Sequence, residues 1–183
     1  MENKYKLSGA SIIELMVAIA IIGILTGIVV PNFSRLFSYN NFQEETREIL
    51  NSISDARANA LASKECRNQE ELIFWSFTLT TPPVITTLSC NSLPTGTPLI
   101  NKTKNISANT EVSTIELADG TAINTLTLLF ETETSQSKIN NGNQQSARIV
   151  FTHPSSGKQR TLCFNSIAGF PTLSEGDTPF PCP

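Results

Sequence analysis

Glu14 is the only charged residue among positions 10–30, which are otherwise almost wholly apolar. A carboxylate in such a helix is costly, by roughly 2.5–3.5 kcal/mol at a bilayer centre for comparable charges. It persists where a cation is brought to it. A free amino terminus on a neighbouring subunit is the closest natural partner, and a cut between Gly9 and Ala10 would create one. The acid would then stand at the fifth position of the shortened chain.

Other chemistry-bearing residues are sparse. Four cysteines stand at 66, 90, 163 and 182, none in a Cys-x-x-Cys pair, and the single histidine, His153, lies ten residues from the nearest of them. That spacing argues against a zinc site. His153 precedes Pro154 at a predicted hairpin tip, where a solvent-exposed turn residue is the ordinary expectation. No Gly-x-Ser-x-Gly, phosphate loop or metal-ligand spacing accompanies it. Neither catalysis nor a metal or other cofactor is expected. The formal net charge of −3, with basic residues scattered as Lys102 with Lys104 and Lys158 with Arg160, gives nucleic acid little to hold. Removing residues 1–9 deletes Glu2, Lys4 and Lys6 and makes the chain one unit more negative.

The elements that must position Glu14 begin with the apolar run itself. Its 21 residues, 10–30, suffice for about 30 Å of hydrocarbon. A secretory signal would need a small-residue cleavage site after that run, but the Ala18–Ala20 pair lies in its middle. A plain single-span anchor fits the length and leaves Glu14 unexplained. Beyond Pro31 the pattern turns amphipathic: Phe33, Leu36, Phe37, Phe42, Ile49, Leu50, Ile53, Ala56, Ala60 and Leu61 recur at mostly three- and four-residue steps. One helix over about residues 11–63 is predicted, some 80 Å at about 1.5 Å per residue. Pro31, which lacks an amide hydrogen and meets the carbonyl of Gly27, predicts a kink. Gly23 and Gly27 have the small-xxx-small spacing that admits a second helix.

From residue 72 the chain reads as strands. Residues 72–81 and 84–90 form two, stopped by Pro82 and Pro83. Residues 111–118 and 122–131 flank Asp119-Gly120, a hairpin signal. Residues 136–145, rich in Asn and Gln, read as a mobile loop. Residues 147–152 and 160–167 pair across a Ser-Gly turn. Phe74, Trp75, Phe77, Phe130, Phe151 and Phe164 read as core. The expected fold class is α+β, one long helix on an antiparallel sheet.

The basic leader with Lys4 and Lys6, the Gly9–Ala10 junction, Glu14, Leu15 and Pro31 together resemble the class III signal of type IV pilins and pseudopilins. The family pattern has Phe then Thr after the cut; here Ala10 and Ser11 stand there. The segment Asp55-Ala56-Arg57-Ala58-Asn59-Ala60 and the C-terminal Asn165-Ser166-Ile167-Ala168-Gly169 are similar to the FimT and FimU minor pilins and the H-type pseudopilin of type II secretion. The resemblance implies a pilin fold with four parts: a leader at 1–9, a transmembrane and filament-core helix at 10–31, an amphipathic helix half at 32–63, and a periplasmic β-rich head at 64–183.

It further implies cleavage by prepilin peptidase, N-methylation of Ala10, and assembly through Glu14 with other minor and major pilins. The chain would be placed in the inner membrane as a single span with a cytoplasmic N-terminus, and afterwards in a pilus or pseudopilus. With an exported head, disulfides become the default. Proximity favours Cys66 with Cys90 and Cys163 with Cys182, among three possible pairings. DNA-uptake members carry Gly-Arg-x-Arg near the C-terminus, whereas Gly169 is followed here by Phe170-Pro171-Thr172. A minor pilin is expected first, an H-type pseudopilin second, and a DNA-uptake receptor third.

Overall fold

The computed structural model describes residues 11–62, 74–91, 100–132, 137–140, 142, 146–166 and 170–176. Among them the element order is one helix, α1 (Ile12–Leu61), then β1 (Phe74–Thr80), β2 (Ile85–Asn91), β3 (Ile100–Asn105), β4 (Glu111–Leu117), β5 (Thr125–Glu131), β6 (Ser137–Ile139), β7 (Ser146–Thr152), β8 (Gln159–Asn165) and β9 (Pro171–Glu175). The class is α+β, with a helix packed on antiparallel sheets. The chain divides into two compact units, Met1–Ser38 and Tyr39–Pro183.

In the first unit α1 is helical through Pro31. Its large apolar side chains, from Ile12 to Leu25 and again at Phe33, Leu36 and Phe37, are exposed. The expected single span of the inner membrane is corrected here: among the described residues no helix is long and apolar enough to cross a membrane. Glu14 lies near the start of the apolar part of α1.

In the second unit the helix is amphipathic in earnest. Phe42, Thr46, Ile49, Ile53, Ala56 and Ala60 are all buried, a stripe of alternating four- and three-residue steps down one face. The expected stripe was longer; Phe33, Leu36, Phe37 and Leu61 stay exposed.

The strands form two sheets where one was expected, ordered β3-β2-β1-β5-β6 and β4-β7-β8-β9. Period-two alternation sends Trp75, Phe77 and Leu79 of β1 to one face, in register with Phe130, Leu128 and Leu126 of β5. In the second sheet Ala147, Ile149 and Phe151 of β7 stand opposite Phe164, Leu162 and Arg160 of β8. Apart from Arg160, these inner residues and the apolar members of the α1 stripe make one core. All six aromatic residues expected in the core are buried.

Three local readings change. Asp119-Gly120 does turn the chain, with Gly120 at φ +81° and its N–H donating to the Leu117 carbonyl at 2.9 Å. The return leg pairs only briefly, at Glu116 and Ala122, after which the chain leaves for the other sheet as β5. Residues 137–139 of the expected loop are strand β6, zipped to β5 from Leu128 to Phe130. The strand β3 carried no apolar signal, since Lys102 and Lys104 alternate with polar residues at an outer edge.

Candidate functional site

Glu14 sits one turn inside α1, and its carboxylate is already engaged. Ser11 occupies the N-cap position, and its backbone N–H donates to Glu14 Oε2 at 3.0 Å. The Ser11 hydroxyl in turn accepts from the Ile13 N–H at 3.4 Å. Ser-x-x-Glu at a helix start is the capping box, in which Glu at the third helical position answers an orphan backbone donor. A negative side chain here also faces the positive end of the helix dipole. The Ser-x-x-Glu spacing is present in the sequence as a purely local signal.

Among the described residues of the apolar run beyond Glu14, Thr26 carries the one polar side chain. Thr26 returns its hydroxyl to the Ile22 carbonyl at 2.7 Å, so it spends its donor locally. A Cβ built on Gly23 or Gly27 meets nothing within 4 Å. Both positions leave the helix surface open to a close neighbour. Gly9 and Ala10, the expected cut site, lie outside the described residues.

No family model, curated protein or solved structure matches this chain.

In the second unit Cys90 and Cys163 are both disulfide-bonded and buried. Cys66 and Cys182, the other two expected disulfide residues, lie outside the described residues. Among the described residues no cluster of His, Cys, Asp and Glu has the makings of a metal site.

His153 departs from expectation. It is 1% exposed, not a solvated turn residue. Its ring lies 5.5 Å from that of Phe42 and 6.0 Å from that of Tyr39, edge-on to the latter. Nδ1 is 2.7 Å from the Ser156 hydroxyl. The turn it closes is tight: the His153 carbonyl accepts from both the Ser156 and Gly157 N–H groups, and Gly157 takes φ +66°. That positive φ selects glycine. Lys158 lies over the Tyr39 ring at 4.2 Å, covering the same corner.

Arg160 is the other residue whose place the sequence did not reveal. It points inward from β8, with Nη1 donating to the Gln43 carbonyl at 3.0 Å and to Thr46 Oγ1 at 2.6 Å. Thr46 is thereby explained as the one polar member of the buried stripe. Burial lowers the guanidinium from its ordinary value, and Arg47 adds to this, while Glu175 and Tyr39 oppose it. Its Nε is buried without a hydrogen-bond partner. Arg160 is a structural tie between helix and sheet.

Phe170 is 65% exposed, with the Arg57 guanidinium 3.6 Å above its ring.

Proposed function

We propose that the chain is a minor pilin, cut after Gly9 by prepilin peptidase, that joins other minor and major pilins and helps to start assembly of a type IV pilus. One observation carries the reading. Every large apolar side chain of α1 from Ile12 to Leu25 is more than half exposed, from Ile12 at 78% to Ile21 at 52%. A helix apolar all round belongs inside something apolar. The core of a helical filament, built from like helices, is such a surrounding, and open Gly23 and Gly27 suit close helix packing there.

Glu14 is the exception that would set the register. Its second carboxylate oxygen, Oε1, is available to the Ala10 amine of an adjacent subunit while Oε2 keeps the cap. Removing one partner of a buried ion pair typically costs about 3–5 kcal/mol, because the other charge is left alone.

Glu14→Val tests the reading. The variant is expected to be processed, by mass spectrometry of the mature N-terminus, yet absent from sheared filaments. Normal incorporation would overturn it. A deletion strain separates the two filament systems: lost surface pili and twitching with secretion intact support the pilus. Lost secretion with normal pili would assign the chain to the secretion pseudopilus, and lost DNA uptake alone to the receptor.

A further inference from the structure

A cleft of about 220 Å³ opens between α1 and the β3 edge of the five-stranded sheet. Ile49, Phe77, Leu88 and Ile106 supply its apolar lining, and Glu48, Asp55, Lys102 and Lys104 its charges. The volume is below the roughly 300–1,000 Å³ of pockets for drug-sized ligands, which limits the occupant to a small molecule.

The charges are paired at one end only. Glu48 and Lys104 form a salt bridge across the mouth. Among the described residues Asp55 and Lys102 form no ion pair. The reason is geometric. Asp55 lies two helical turns beyond Glu48, about 10.5 Å along the axis. Lys102 lies two strand residues from Lys104, about 6.8 Å along the edge. Once the first pair closes, the second is out of step by about 4 Å even if helix and strand are aligned and antiparallel, so that both steps run the same way. The mismatch leaves an exposed carboxylate and an exposed ammonium facing one cleft with a greasy floor.

We propose that this cleft binds a small zwitterion, an α-amino acid with an apolar side chain. Its ammonium meets Asp55, its carboxylate meets Lys102, and its side chain rests on the part-exposed Leu88 and Ile106. The proposal does not depend on the filament reading, because every residue it uses lies in the second unit.

Titration of the full-length protein in detergent micelles with L-leucine, followed by calorimetry, tests it. Three probes divide the contacts: L-leucine, 4-methylpentanoate without the ammonium, and 3-methylbutylamine without the carboxylate. Both single-charge probes are expected to bind about fivefold more weakly than leucine, the size of a partly exposed ion pair. Asp55→Asn should weaken leucine by a similar factor and leave 4-methylpentanoate unchanged; Lys102→Gln should weaken leucine and leave 3-methylbutylamine unchanged. Leu88→Trp, which fills the cleft, should abolish binding of all three. No leucine binding, equal binding of the three probes, or Asp55→Asn and Lys102→Gln each shifting all three probes alike would overturn the proposal.

Discussion

The Ser11 backbone N–H donates to Glu14 Oε2 across the first turn of α1, so the acid stranded in an apolar run has a partner within its own helix. Capping and charge pairing make different demands on the side chain. Capping needs an acceptor oxygen, which glutamine also has; pairing with an amine needs the negative charge. The two roles are therefore separable by one atom.

Glu14→Gln is expected to keep the cap and lose the pairing. Its helix content by circular dichroism should match the parent, while its incorporation into filaments should fall as far as that of Glu14→Val. Full incorporation of Glu14→Gln would mean that capping is the whole role of the residue. Ser11→Ala should cost about 1 kcal/mol at the helix start, read as faster hydrogen exchange of the first-turn amides.

Arg160→Ala should destabilise the second unit by about 2–3 kcal/mol in urea unfolding, since it removes two charge-assisted hydrogen bonds and opens buried space. Arg160→Met should cost less, because it refills the space and removes a desolvated charge. The sign with pH follows from the lowered guanidinium value. A cation disfavoured by burial destabilises the fold wherever it is protonated, and arginine stays protonated far above neutrality. The difference between parent and Arg160→Met should be flat from about pH 5 to about pH 9. A slope across that window would contradict the account.

His153→Ala should cost about 2–4 kcal/mol, as a buried ring against Phe42 and Tyr39 is deleted. His153→Phe should recover most of it, leaving a deficit of about 1.5 kcal/mol or less, because the ring contacts return and the exposed Ser156 hydroxyl turns to water. Equal losses for the two would show that the hydrogen bond to Ser156, rather than packing, holds the corner.

Cys90 and Cys163 should resist iodoacetamide in native protein without reductant, and mass spectrometry of the alkylated peptides reads this directly. Reduction should lower the unfolding free energy by about 2–4 kcal/mol. Alkylation of either cysteine before reduction would contradict a disulfide at that position.

Periodic patterns were legible in the residues alone. The apolar run after Ser11, the steps from Phe42 to Ala60, the paired strands around the Ser-Gly turn and the buried aromatics all follow from local repeats of 3.6 and 2 residues. A helix or strand sorts its faces by that period whatever lies opposite. The Ser-x-x-Glu cap was equally local and readable.

Choice of partner was not. Asp119-Gly120 bends the backbone, but whether the returning chain pairs with β4 depends on where the apolar face of Leu126, Leu128 and Phe130 finds burial, and that was beside β1. Residues 137–139 became a strand because β5 offered an edge, not because Ser-Lys-Ile asked for one. Arg160 turned inward because Thr46 and the Gln43 carbonyl met its guanidinium, and His153 was buried because α1 passed over its turn. Each of these depends on residues far away in sequence, and only the folded chain brings such residues within contact distance.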